Sequence, residues 1–324
     1  MKILLISNQG MVEPFIGNPI MLRYRDALLN DKRIEDVKML RCNRPFSVVR
    51  DLRSLAKQVD IVHVHFGGLY ALIVWFLLLG INKPKFITFH GTDIHAKAIK
   101  TSKSLLEKLR IKLNQYASFF SILCYTRCGF VAKEMEEYVP KFFKYFLLNK
   151  EFLQPLGVDY KLFAPISKEE AQKQLGLEFG KYILFSDVHN STIKRRDIAN
   201  AIVDRLSGYK ILIMCGVNPQ DVPVYINASE CVLLTSDQEG SPNIIREALS
   251  LNKRVFSVNV GDVAIQLENL KNSKIISRNP VEASNLIRKS LFEEYVDNTR
   301  MSRRDIIDFS VCTKHVIDLY IQVI

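Results

Sequence analysis

One stretch in the second half of the chain limits the fold more than any other. Residues 231–235 read Cys-Val-Leu-Leu-Thr, a short apolar run suited to a parallel strand buried on both faces. An acidic loop with a glycine follows, Asp237-Gln238-Glu239-Gly240. Ser241 suits an N-cap and Pro242 a first helical position, and an apolar helix then runs through Ala248 and Leu249. A second strand follows at 255–258. Strand, loop, helix and strand in that order belong to an α/β domain with a parallel sheet.

The loop has a definite chemistry. Gly240 lets backbone come close to a ligand. The amides of Asn243 and Ile244 open the helix, where N–H groups lack intrahelical partners and the dipole is positive. Such a turn holds a phosphate. Glu239 lies just before the helix, and Glu247, eight residues later, lies in its second turn. Two carboxylates therefore flank an anion site, one for ribose hydroxyls and one for sugar hydroxyls. A sugar nucleotide has all three parts. The plainer reading is a strand-to-helix turn of any doubly wound domain, with Glu247 merely solvated. The Glu, seven residues, then Glu spacing within Glu-Gly-Ser-Pro-Asn resembles the donor-site motif of the family 4 retaining glycosyltransferases, also called group 1.

A chain of 324 residues holds two domains of ordinary size, and 48% hydrophobic residues suffice for two cores. The six cysteines sit mostly in apolar runs and read as reduced core residues of a cytoplasmic protein. Cys124 and Cys128 have no second Cys or His pair nearby at ligand spacing, so no metal is assigned there. The opening apolar run stops at Asn8-Gln9-Gly10, too soon for a secretory leader, and the apolar run 69–79 is too short to span a bilayer. Charge is uneven. Residues 1–165 carry 25 Lys and Arg against 14 Asp and Glu, which accounts for the whole net charge of +11. No nucleic-acid module accompanies it, so the expected partner is an anionic membrane surface or a phosphorylated lipid acceptor, not nucleic acid.

In the first half, residues 2–7 read as a strand, 8–18 as a glycine-bearing loop and 19–29 as a helix. Gly17 in that loop is a candidate for phosphate contact, although the run is no clean dinucleotide fingerprint and an ordinary turn reads equally well. Residues 59–65 form a strand carrying His63 and His65 on one face, without a third ligand for a metal; His65 reads as packing. The strand at 85–89 ends in His90-Gly91-Thr92-Asp93 at its carboxyl end, where ligands of open parallel sheets sit. That run resembles the acceptor-domain loop of the same glycosyltransferases. The resemblance implies that His90 sits over the donor sugar and that Asp93 lies toward the acceptor. Residues 94–150 hold 11 basic and 4 acidic residues. Within them 100–116 reads as a basic amphipathic helix with Leu105, Leu106, Leu109 and Leu113, either a solvated surface helix or a membrane-facing patch. Residues 119–125 read as a strand delivering Arg127 to a phosphate or acceptor, a plain surface arginine being an equal reading, with a helix at 129–138.

The Pro155-Leu-Gly157-Val158-Asp159 segment resembles the entry to the second domain in these enzymes and places a hinge at 155–166. Strands are expected at 182–186, 210–215 and 274–277, and helices at 222–227, 263–270 and 281–295. Lys194-Arg195-Arg196-Asp197 opens a helix with three cations, against the dipole unless an anion neutralises them. By resemblance Lys194 holds the donor diphosphate. The arginine that the family places after the preceding strand is replaced here by Ser186-Asp187, leaving open whether Arg195 substitutes for it. Aromatic and main-chain groups after Gly216-Val-Asn-Pro219 could hold the base.

The resemblance implies the GT-B fold: two doubly wound Rossmann-like domains facing a central cleft. It places 1–160 as the acceptor domain, 161–309 as the nucleotide-sugar domain, and 310–324 crossing back onto the first. It implies transfer of a hexosyl or N-acetylhexosaminyl group from a nucleotide-diphosphate sugar to a saccharide or polyprenyl-linked acceptor, with no cofactor and no metal. Glu239 and His90 are then the catalytic candidates. Lys194, Arg195, Gly17 and the run Gly240, Ser241, Pro242, Asn243, Ile244 and Glu247 are donor-binding, and Asp93 and Arg127 acceptor-binding. The setting expected is surface polysaccharide synthesis in the bacterial cytoplasm, at the inner face of the membrane. A sugar-nucleotide epimerase of the same fold and a non-catalytic transferase-like subunit are the alternatives.

Overall fold

The structure, a computed structural model, describes residues 1–8, 20–91, 93–94, 104–187 and 192–324. It divides into two compact units, Met1–Leu156 with Phe309–Ile324, and Gly157–Asp308.

The first unit is a six-stranded sheet of β1 (Lys2–Ser7), β2 (Asp36–Arg41), β3 (Ile61–His65), β4 (Lys85–Phe89), β5 (Arg127–Phe130) and β6 (Glu151–Leu153), in the order β2-β1-β3-β4-β5-β6. Every pairing is parallel. Side chains alternate across the sheet, and both faces are apolar. Leu4, Ile6, Val62 and Val64 pack into one core, while Ile3, Leu5, Ile61 and Phe86 pack into another with Tyr24, Phe309 and Tyr320. Helices Ile20–Leu29 and Phe309–Ile321 cover that second face, so the end of the chain completes the first unit.

The second unit is a five-stranded parallel sheet of β7 (Lys181–Ser186), β8 (Tyr209–Met214), β9 (Cys231–Leu234), β10 (Arg254–Ser257) and β11 (Lys274–Ile275), in the order β11-β10-β9-β7-β8. Both units are Rossmann-like, with strands alternating with covering helices.

The region 100–138 corrects the sequence reading. The run 119–125 is no strand but the end of helix Leu105–Cys124. Its burial follows a helical period: Ala117, Ser118, Ser121 and Ile122 are buried while Phe120 is 49% exposed. Residues 127–130 form β5, where a loop at 127 and a helix from 129 were expected, and a 3₁₀ turn at Lys133–Tyr138 follows. Among the described residues no helix is long and apolar enough to cross a membrane.

Candidate functional site

In the second unit β9 is buried throughout and carries Thr235 and Ser236, both with no exposed surface, to the carboxyl end of the sheet. The Thr235 hydroxyl donates toward the carbonyls of Lys194 and Arg195, at 3.0 and 2.9 Å. The Asp237 N–H donates to Ile193 O at 2.8 Å. These bonds fasten the acidic loop to the turn at Thr192–Lys194. Lys194 Nζ lies 2.6 Å from Glu239 Oε1, and Ser236 Oγ donates to the same oxygen at 2.7 Å. The two charges most expected to meet a ligand thus meet each other.

The neighbouring cations are also balanced. Arg195 has a left-handed backbone (φ 55°) and forms a fork on Asp197, with bonds of 2.9 and 2.8 Å that pull that carboxyl below its ordinary pKa. Its third nitrogen reaches Asp237 at 3.3 Å. The helix therefore starts only at Arg196, not at Lys194. Arg196 pairs at 3.5 Å with buried Asp187, the residue standing where the resemblance expects an arginine. Arg278, past β11, donates to Ser236 O at 2.8 Å and approaches Asp237 at 3.6 Å. Sequence reading gave Arg278 no role; a lone arginine after so short a strand carries no local signal.

The helix Asn243–Ser250 follows the loop, with Pro242 in the capping position and no side-chain cap. Ser241 is therefore no N-cap. Its hydroxyl donates to Asp262 Oδ2 at 2.6 Å and accepts from Arg246. Arg246 pairs with the same Asp262 oxygen at 2.8 Å, and Gln266 donates to the other at 2.5 Å. Gly261 explains the tight fit. Its φ is +55°, and an added Cβ would stand 2.2 Å from Gly240 O. The loop after β10 is thus seated directly on the Glu239–Gly240 backbone. Glu247 is only 7% exposed, so the reading of a solvated carboxylate is withdrawn.

In the first unit β4 leads directly into His90. The ring stacks on Phe66 with centroids 4.0 Å apart, and its Nε2 lies 3.1 Å from His65 Nδ1. Burial lowers the His90 pKa to about 3, so the ring is neutral at neutral pH. Asp93 accepts from the N–H groups of Gly67 (2.6 Å), His90 (3.0 Å) and Gly91 (2.8 Å). Both carboxylate oxygens are used inside the loop and the residue is 5% exposed. Asp93 thus braces the loop rather than reaching toward an acceptor. His65 is more than packing, since it contacts His90 directly. His63 and His65 stack at 4.3 Å, and His63 is held by Tyr320 and by Thr88 at 2.8 Å. Among the described residues no group of ligands is arranged to hold a metal ion.

Arg127 begins β5, at the amino end of the sheet, and its guanidinium donates to Asn149 O. The expected phosphate or acceptor contact is corrected, because it assumed a strand that ended before Arg127. Gly17 and Thr92 lie outside the described residues, as does most of the expected loop at 188–192.

No protein-family model and no curated protein matches the sequence. Solved structures do match over the full chain. Sucrose-phosphate synthase from Thermosynechococcus elongatus is 14% identical, with a TM-score of 0.76 over 99% of this chain and 98% of that one. Anabaena HepE, solved with UDP and glucose, is 15% identical, with a TM-score of 0.71 over 99% and 100%. The UDP-GlcNAc 2-epimerase of Neisseria meningitidis, bound to UDP-GlcNAc, is 11% identical, with a TM-score of 0.59 over 99% and 100%. Glycosyltransferases recur among the matches, and the chain has their GT-B fold.

Proposed function

We propose that the chain is a metal-independent retaining glycosyltransferase resembling family 4, which moves a hexosyl or N-acetylhexosaminyl group from a nucleotide-diphosphate sugar to a saccharide or polyprenyl-linked acceptor. Surface polysaccharide synthesis is the setting we propose. The observation that carries the reading is the loop after β9: buried Glu247, Glu239 on Lys194, and Gly261 seated on Gly240. Full-chain similarity to a protein solved with UDP and glucose supports the donor class. On donor binding Lys194 leaves Glu239 for the diphosphate, joined by the first-turn amides of Asn243 and Ile244. Glu239, released, orients the sugar, and Glu247 accepts from the ribose hydroxyls. The bond between the anomeric carbon and the β-phosphate oxygen breaks as the acceptor oxygen bonds to the same face. The departing phosphate takes the acceptor proton. In the first unit the neutral His90 ring offers a hydrogen bond, not a charge.

A thermal-shift screen of UDP, GDP, ADP and TDP tests the site. One nucleotide at 100 times its dissociation constant adds about 2.7 kcal/mol of stability. Glu247→Ala is expected to abolish that shift, and retention of wild-type affinity by Glu247→Ala overturns the assignment. The epimerase match favours one second reading, which donor incubated without acceptor distinguishes. Epimerised nucleotide-sugar supports an epimerase, transfer once acceptor is added supports the transferase, and inertness toward every donor supports a non-catalytic subunit.

A further inference from the structure

We propose that the outward face of helix Leu105–Cys124, together with the adjoining helix Lys141–Leu147, docks the first unit onto the headgroup layer of an anionic lipid bilayer. Leu105, Leu109, Leu113, Tyr116 and Phe120 recur at spacings of four, four, three and four, and are 83, 54, 58, 54 and 49% exposed. At about 100° per residue they share one stripe spanning roughly a quarter of the helix circumference. No residue from 105 to 116 is buried; the helix meets the core only from Ala117 onward. Large apolar side chains standing singly on a surface need no explanation, but a continuous stripe marks a contact.

The second helix extends it. Phe143 and Leu147 are buried, while Phe142 and Tyr145 stand out at 64 and 72% exposure. Phe143 joins the two helices through rings 5.7 Å from Phe119 and 5.4 Å from Phe120.

Charge selects the occupant. On the helical wheel Lys108 and Lys112 border the stripe on one side and Arg110 on the other, while Glu107 falls on the opposite face. Lys141 and Lys144 flank the aromatic pair, with Glu136 within electrostatic reach of Lys144. Leucines and aromatics bordered by lysines match a layer that is apolar inside and phosphate-rich outside. A second copy would instead bring like charges together. The helix lies on the layer rather than crossing it. The surface does not depend on the sugar chemistry proposed above.

Co-sedimentation of the full chain with vesicles tests the idea, using phosphatidylcholine alone and phosphatidylcholine mixed with phosphatidylglycerol. Binding is expected to the mixed vesicles at low salt, weakened but not abolished at high salt, because only part of the contact is electrostatic. Leu105→Asp with Leu109→Asp should lower the partition constant about tenfold or more. Lys108→Glu with Lys112→Glu should weaken binding to the mixed vesicles alone. All four positions lie outside the buried core, so melting temperatures should match wild type and report intact folding. Three results each overturn the proposal: no binding to mixed vesicles at low salt, unchanged binding by the double aspartate variant, or a lipid-free dimer that the same variant dissociates.

Discussion

The two units face one mechanical problem, fixing a loop at the carboxyl end of a parallel sheet, and solve it with different chemistry. In the first unit the means are mostly uncharged. His90 is stacked and hydrogen-bonded as a neutral ring to His65, which stacks on His63, and the hydroxyls of Thr88 and Tyr320 hold His63 in turn. Its one carboxylate, Asp93, is spent on backbone N–H groups. In the second unit the loop hangs on ion pairs: Lys194 with Glu239, Arg195 with Asp197 and Asp237, Arg196 with Asp187, and Arg246 with Asp262. A scaffold of buried neutral imidazoles is stable only while they stay unprotonated. A scaffold of paired charges depends on every partner. Even the net charge divides this way, with all of +11 in residues 1–165 and none in the rest.

The largest effect expected from this contrast is acid sensitivity of the first unit alone. His63 and His65 are 0 and 1% exposed. Burial first, and neighbouring histidines second, lower the His63 pKa from 6.5 to about 3 and that of His65 well below its ordinary value. The unfolded chain takes up these protons near pH 6.5, whereas His63 in the folded unit resists until about pH 3 and His65 is also held neutral well below pH 6.5. Stability from the neutral rings is therefore full above pH 6.5 and is lost progressively as pH falls through that window. The slope is up to about 1.4 kcal/mol per pH unit for each histidine. Peptide-resolved hydrogen exchange, corrected for intrinsic rates, should show β3, β4 and helix Phe309–Ile321 losing protection between pH 6 and 4. The strands β7–β10 should hold. Earlier loss in the second unit would show that the buried imidazoles do not set the acid limit.

The next effect strikes the other unit. Arg246→Ala strands the Asp262 carboxylate, 8% exposed, without its cation. Removing one partner of a buried pair is worth about 3–5 kcal/mol. Protection in β9, β10 and helix Asn243–Ser250 should fall at neutral pH, with β1 and β3 unaffected. Arg246→Met combined with Asp262→Leu should recover much of the loss, since neither charge is then left alone. A double variant as unstable as the single one would show that packing, not pairing, is what Arg246 provides. Gly261→Ala keeps every charge but forces a Cβ toward Gly240 O. It should weaken nucleotide binding more than it weakens the ion pair.

Legibility in the sequence followed how local each cause is. Strands β1 and β9 are apolar on both faces and β3 on one, so their runs stand out at nearly the observed bounds. The run 119–125 misled because seven mostly apolar residues fit a buried strand or a buried helix equally well, and only the partner surface decides. Glu239, Glu247 and Lys194 could be singled out by spacing and by resemblance. Arg246 could not: inside Ile-Ile-Arg-Glu it reads as a solvated helix position, and its partner Asp262 lies across a strand. Gly261 owes its role to a contact with Gly240 that no local pattern records. Asp93 was visible, but not that its oxygens would be consumed by three backbone donors. The return of the chain end onto the first sheet came from resemblance alone.

The smallest effect probes the neutral scaffold one bond at a time. Thr88 Oγ1 donates to the Gln154 amide oxygen at 2.5 Å, so it can only accept from His63 Nε2 at 2.8 Å. With the Thr88 hydroxyl turned that way, the neutral ring carries its proton on Nε2, and Nδ1 accepts from the Tyr320 hydroxyl. Tyr320→Phe keeps the edge-on ring contact with Phe86, at 4.9 Å, and removes the donor to His63 together with a 3.4 Å contact to the Tyr24 hydroxyl. A buried ring nitrogen is left without its partner, which is worth about 1–3 kcal/mol. Loss of protection in β3 and helix Phe309–Ile321 at pH 7 is therefore expected, smaller than the loss Arg246→Ala produces in the second unit. The slope of the acid-induced loss should persist, because burial is the larger cause of the lowered His63 pKa. If Tyr320→Phe instead abolishes that slope, the hydroxyl rather than desolvation governs the titration, and the first unit depends on single partners as the second does.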